Sequence, residues 1–192
     1  AALSDEETRK RLGWIMAALL SPLILTLAFF CSLLSGSVDH NNSAVLLCFH
    51  GGEIPASTPA EYVAYIEEMR DSFQLLDELI STVNEMAEGE DSLDEIRVKA
   101  VFYALYFGED APSRRAHRQF ADCFVTYEER TRTVTGEDGT DIEESYTAAI
   151  PITDMAEVYR NIESVLHLEI TEEQKGNADS VYNLVRYGVA AG

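Results

Sequence analysis

The chain has 192 residues, with 34 Asp and Glu against 14 Lys and Arg, and a formal charge of −20. That balance excludes nucleic acid as a partner, because phosphate contacts need clustered Lys and Arg. A hydrophobic share of 46% excludes an acidic disordered tail, and three cysteines exclude a disulfide-framework miniprotein. The length suits one domain with a real core.

Ser4-Asp5-Glu6-Glu7 reads as a capping box that starts a helix. Leu12 to Leu34 then carries no charged residue. As a helix it would rise about 35 Å, enough for a hydrocarbon core of about 30 Å. Trp14 suits one interface, and a kink at Pro22 is tolerable in a membrane. A cleaved signal peptide is the weaker reading, because its apolar run is shorter and Ser35-Gly36-Ser37 is a poor cleavage site. A buried helix of a soluble core would rarely hide so long an unbroken run. Arg9, Lys10 and Arg11 precede the run, and the next basic residue is Arg70. The positive-inside rule therefore predicts a cytoplasmic tail (1–11), a single membrane span (12–36) and an extracellular remainder in the cell membrane. Three acidic and three basic residues precede the span, so the remainder stays strongly acidic. Such a domain is repelled by anionic headgroups and stands off the bilayer.

Residues 37–57, with His40, Asn41, Asn42, Gly51, Gly52 and Pro55, read as a tether. Within them Ala44–Phe49 is a short apolar run able to dock as a strand or plug. An acidic α+β domain is expected over 58–192: a mainly helical core with one inserted antiparallel β-hairpin. Thr58-Pro59-Ala60-Glu61 predicts a capped helix with proline at its first position. Tyr62, Ile66, Met69, Phe73, Leu76, Ile80, Val83 and Ala87 then recur at alternating steps of four and three. That seam fits either a homodimer through the 59–87 helix or a long helix packed on its own domain. Val63, Leu75 and Leu79 widen the stripe toward the second. Ser92-Leu93-Asp94-Glu95 caps a run, Val98 to Phe107, that is apolar nearly all round and is expected to be the centre of the core. Gly108 closes it. Ser113 starts a short helix through Phe120.

Cys123 to Thr135 and Thr140 to Pro151 flank Gly136-Glu137-Asp138-Gly139 and predict a hairpin. If Thr135 faces Thr140, Arg132 faces Glu143. A two-residue Asp138-Gly139 turn would shift that register, and both stay open. Asp154 caps a helix with Met155, Val158, Tyr159, Ile162, Val165 and Leu166 on its apolar face. Thr171-Glu172-Glu173-Gln174 caps a last helix ending at Tyr187-Gly188.

Chemistry is sparse. A thiol nucleophile needs a nearby base, and the closest in sequence are Cys48 with His50 and Cys123 with His117. Neither pair sits in a protease signature. The four histidines, His40, His50, His117 and His167, are scattered without metal-ligand spacing, so no metal and no cofactor is expected. A lysozyme-like glycan hydrolase would want Glu-Ser at a helix end. Glu163-Ser164 falls mid-helix and Glu144-Ser145 in a strand. No catalytic residue is assigned. Cys48 and Cys123 fall outside the span, where either a disulfide or two buried thiols is open.

Several stretches carry a resemblance: LSDEETRKRLGWIMAALLSPLILTLAFFCSLLSG from Leu3, LCFHGGEIP, VKAVFYALYFGEDAPSRRAHRQFADCFVTYEERTRTVT from Val98 to Thr135, and VYNLVRYG from Val181. Cys48-Phe49-His50-Gly51-Gly52 and Asp122 to Arg130 are the most distinctive. Together they resemble the N-terminal region of cell-wall hydrolases carried by conjugative mobile elements of Firmicutes. The resemblance implies a membrane anchor and stalk. A zinc endopeptidase of lysostaphin type or a papain-like amidase would lie beyond Gly192 and open peptidoglycan for conjugative transfer. No motif of either peptidase is present, so the chain itself is expected to be non-catalytic. Its expected partners are the lipid bilayer and peptidoglycan or conjugation-apparatus proteins. A structural subunit of a conjugative secretion apparatus is the rival expectation.

Overall fold

A run such as Ala44–Phe49 is too short for its periodicity to separate strand from helix, and the two glycines after it decide. In the computed structural model, which describes residues 42–88, 92–135 and 140–189, it is helical. Gly51 takes φ 71°, and its N–H returns to the carbonyl of Leu47 at 3.1 Å, a glycine C-cap that strands do not have. Helix α1 (42–50) buries Ala44, Val45 and Cys48, and Phe49 sets its ring edge-on to Phe73 at 4.7 Å. Part of the segment read as a tether is therefore core.

The remaining described elements are α2 (Ala60–Glu85), α3 (Glu95–Tyr106), α4 (Arg114–Asp122), β1 (Val125–Thr135), β2 (Asp141–Pro151), α5 (Met155–Leu166) and α6 (Glu172–Tyr187). The fold is α+β, with six helices and one two-stranded antiparallel hairpin among the described residues. The chain divides into two units, Ala1–Ser43 and Ala44–Gly192, and the described residues lie almost wholly in the second. The expected span, 12–36, lies outside the described residues. Among those, no helix is long and apolar enough to cross a membrane.

In α2 the seam from Ile66 to Val83 is buried within the chain's own core, while Tyr62 is half exposed and Ala87 lies past the helix. The expected Thr58 cap does not form. Thr58 donates its N–H to Pro55 in a turn, and Pro59 becomes the N-cap with no side-chain bond. The cap before α3 is Asp94 and not Ser92, its carboxylate accepting from Arg97 N. Ser113, Asp154 and Thr171 cap α4, α5 and α6 as their sequences predict, and Thr171 with Gln174 closes a full capping box.

Helix α3 is the centre of the core. Val98 through Tyr103 are all buried, and Phe102 is fully enclosed by Tyr106 (4.7 Å), His117 (4.9 Å) and Phe120 (5.2 Å). Helix α6 packs along it, pinned by Tyr182 Oη to Asp94 (2.9 Å), by Arg97 to Asp179 (2.5 Å), and by the Arg97 guanidinium 3.7 Å from the Tyr182 ring centre. On α5, Val165 turns outward despite its place on the expected apolar face.

The hairpin register joins Thr135 to Asp141 and Arg132 to Glu144. It lies one residue from the pairing that would face Thr135 with Thr140, and the turn residues 136–139 lie outside the described residues. Only the base is buried: Val125, Ala148 and Ala149 enter the core, and β1 and β2 are otherwise largely exposed.

Candidate functional site

The thiols come first, because a nucleophile needs ionisation and a base. Cys48 and Cys123 are both buried and free. Burial pushes the Cys48 thiol up to about 12, a larger effect than the opposing charge of Arg70. Burial, with Asp122 adding to it, pushes Cys123 up to about 11. Cys123 Sγ donates to the Gln119 carbonyl at 3.1 Å, and His117 Nδ1 bonds the Ser113 carbonyl at 3.0 Å. The structure joins neither Cys123 to His117 nor Cys48 to the exposed His50 by a hydrogen bond. These are packed thiols, not activated ones.

The acid candidates are occupied as well. Glu163 accepts from Ile170 N (3.0 Å) and so holds the turn after α5. Glu144 pairs with Arg132 across the ladder at 2.8 Å. His167 caps α5 in the left-handed region at φ 55°, and His40 lies outside the described residues. No group of three or more His, Cys, Asp or Glu could hold a metal ion among the described residues. A cleft between α2 and the turn after α3, bordered by Tyr65, Glu68, Phe102, Tyr106 and Glu109, has room for roughly one water molecule.

The two motifs most distinctive in sequence are structural pins. Arg70 donates through Nε to the Leu47 carbonyl and through Nη2 to that of Gly52, both at 2.9 Å, placing a cation at the C-terminus of α1. That, with the Gly51 cap, is why Cys-Phe-His-Gly-Gly folds as it does. In the second motif, Tyr127 Oη donates to Asp122 (2.7 Å), Phe124 is buried, and Asn161 Nδ2 reaches the Cys123 carbonyl (3.3 Å). Burial is the largest cause holding the Tyr127 hydroxyl above its ordinary range, and the Asp122 bond adds to it.

Sequence reading missed two features. Lys99 is buried on α3, where its ammonium bonds Asp77 and also Glu95 at 2.6 Å. Burial holds the Asp77 carboxyl above its usual range against the pull of Lys99. The second feature is the hairpin as an arm. Its strands show no alternation of apolar and polar residues beyond the base, and that is the signal for a ribbon solvated on both faces.

The arm is latched at its base. Ala149 N donates to the Met86 carbonyl at 2.9 Å, and Ala87 bridges Ala149 just past α2. Glu88 accepts from both Tyr146 Oη and Arg130. The Tyr146 bond first, then Arg130, holds its carboxyl below the usual range. Register pairs share a face, so Arg130, Arg132, Glu128, Glu144 and Tyr146 lie on one side. Arg132 pairs with Glu144 and sits 5.2 Å from the Tyr146 ring centre. The other side holds Glu129, Thr131, Thr133, Asp141, Glu143, Ser145 and Thr147, with no basic residue. No known protein family, curated protein or solved structure matches the chain.

Proposed function

We propose that the chain is the membrane-anchoring, non-catalytic N-terminal region of a mobile-element cell-wall hydrolase that opens peptidoglycan locally during conjugative transfer. The observation that carries this reading is the uncharged stretch from Leu12 to Leu34, preceded by Arg9-Lys10-Arg11 and followed by no basic residue before Arg70. It makes the protein single-pass in the cell membrane, with a cytoplasmic N-terminus and the acidic domain outside. The bilayer holds it, and it acts on peptidoglycan or on proteins of the transfer apparatus. Confinement to one site raises the effective concentration of whatever it carries.

The holding role draws support from the described domain, where both thiols and both Glu-Ser candidates are engaged in packing or hydrogen bonds. The experiment is membrane fractionation of cells expressing the chain, followed by protease added from outside. An integral protein whose acidic domain is digested in intact cells is expected. A protein released by alkaline carbonate, or a domain protected from protease, would overturn the anchor. Sequence of the gene past Gly192 tests the hydrolase: a peptidase reading frame is expected there. A stop codon, with crosslinks to channel proteins, would assign the chain to the secretion apparatus instead. Clearing of a peptidoglycan gel by the chain alone would make it a lysozyme-like enzyme.

A further inference from the structure

The arm leaves one backbone edge open. Ala149 of β2 turns its N–H away from β1 to the Met86 carbonyl, while Ile152 turns its own inward to that of Phe124 at 2.8 Å. In an antiparallel strand the N–H and C=O of one residue point to the same side, and successive residues alternate. The unbroken register therefore fixes β1. Its even-numbered residues bond β2, and Tyr127, Glu129, Thr131, Thr133 and Thr135 aim their backbone groups outward. Among the described residues no hydrogen bond from outside the strand reaches those outward groups. The matching edge of β2 is closed at its base by Met86 and Ala87.

Natural proteins guard such edges with proline, lysine, a bulge or a covering element. Strand β1 spans 11 residues with no proline, glycine or lysine, and its pairing with β2 runs without a bulge. What remains is charge, in the order Glu128-Glu129-Arg130-Thr131-Arg132, acid first and base last. An antiparallel copy reverses that order. With a two-fold axis at Arg130, Glu128 faces Arg132 of the copy, Glu129 faces Thr131, Thr126 faces Val134, and all 11 residues are paired. Outward residues then meet outward residues, as backbone pairing requires. An axis at Thr131 would set Arg130 against Arg132. An axis at Glu129 would set that carboxylate, which no salt bridge reaches among the described residues, against itself. The axis at Arg130 brings together two arginines that Glu88 and Glu128 already neutralise. The groups for the new pair are spare: Arg130 uses Oε2 of Glu128, and Arg132 gives Glu144 its Nε and Nη2 and keeps Nη1.

We propose that the outer edge of β1 pairs with the same edge of a second copy of this chain, joining two hairpins into a four-stranded antiparallel sheet with its two-fold axis at Arg130. The pairing relieves a two-stranded ribbon that is marginal alone in water. The chains repel as wholes, but physiological salt screens that force beyond about 8 Å, while the facing pairs are in contact. The proposal does not depend on the anchor or on a following hydrolase.

The test uses the full chain in a neutral detergent, with Cys31→Ser in every variant so that no thiol outside the domain crosslinks. Thr126→Cys and Val134→Cys are combined in one chain. They stand about 27 Å apart on β1, too far for a bridge within the chain. Across the two-fold axis they face each other at a Cα separation of about 4.5 Å, which a disulfide spans. Oxidation is expected to yield a disulfide dimer from the combined variant, none above background from either single variant, and a dimer again from the two singles mixed. Glu128→Arg and Arg132→Glu, each placed on the combined variant, oppose like charges and are expected to lower the dimer yield several-fold. Mixing those two chains makes both facing pairs complementary and is expected to restore the yield. No dimer from the combined variant, an equal yield from a single variant, or no recovery in the mixture would each overturn the proposal.

Discussion

Phe102 and Thr131 belong to the same domain and have opposite surroundings. Phe102 has no exposed surface and three aromatic rings within 5.2 Å of its own. Thr131, midway along β1, is exposed, as is most of the strand apart from the buried Val125 at its base and the half-buried Arg130 and Val134. One region is held by burial and the other by a ladder, two salt-bridged arginines and a latch. Stability and presentation are thus separated in space: the helices make a rigid base, and the ribbon offers side chains on both faces. The sharpest test of that division is a pair of truncations. Phe102→Ala is expected to lose about 3–5 kcal/mol of unfolding free energy. Thr131→Ala, at an exposed site, is expected to stay within about 0.5 kcal/mol. Urea denaturation checks both, and a comparable loss at Thr131 would mean that the arm is integral to the core.

Lys99 blurs the division, because it is a charge inside the region that burial holds. Lys99→Met removes the ammonium and leaves Asp77 beside Glu95. The expected loss at neutral pH is about 1–2 kcal/mol, below that of a fully buried pair because both carboxylates keep about half their side-chain surface in water. Asp77 has a raised carboxyl, so the folded state holds its proton at a pH where the unfolded chain has lost it. Its stabilising effect is present in acid and is lost as the pH rises through the folded value. The deficit of Lys99→Met is therefore expected to shrink on acidification. A deficit that grew in acid would place the strain elsewhere.

The thiols offer a chemical test of the same core. Cys48 and Cys123 are held near 12 and 11 in the folded chain. Above the ordinary thiol range the unfolded chain loses these protons first, so folding stability is expected to fall as the pH rises through those values. At pH 8 both are expected to resist iodoacetamide in the folded protein and to react fully in denaturant without reductant. Peptide mass mapping reads each site separately. Failure to label in denaturant would show a bridge where the structure has free thiols, and α1 would then be tied covalently to the start of the hairpin.

Much of the helical half was legible before the structure, because its signals are local. Thr171 and Gln174 cap within one turn, and Asp154 caps its own helix. The apolar run from Val98 needs burial wherever it lies. The misses involve distance or counting. Arg70 reaches back 23 residues to Leu47, and no local pattern announces that bond. Lys99 reads as a surface residue until α2 brings Asp77 beside it. The hairpin register turned on how many residues the turn contains, and Gly136-Glu137-Asp138-Gly139 permits more than one count. The thiols and the histidines are scattered in sequence, and among the described residues no hydrogen bond joins Cys48 to His50 or Cys123 to His117. The strands of the arm are evident from their β-branched runs, and their missing apolar alternation beyond the base is the mark of a ribbon solvated on both faces.

The smallest effect expected is at the latch. Glu88 accepts from Tyr146 and Arg130, and both bonds are stronger to its ionised carboxylate than to a neutral carboxyl or amide. Its lowered folded value means that the contribution is present above the ordinary carboxylate range and is lost as the pH falls through the folded value. Glu88→Gln keeps the shape and removes the charge, so it should copy the acid state at neutral pH. Global stability should barely change, because Glu88 is exposed and the core does not contain it. Amide exchange along β1 and β2 should nevertheless quicken, most near Arg130 and Tyr146, while α3 keeps its protection. If exchange in the arm is unchanged, the ladder and the buried base at Val125, Ala148 and Ala149 suffice to hold it. If α3 loosens as well, the arm and the core unfold as one unit, and the separation drawn between Phe102 and Thr131 fails.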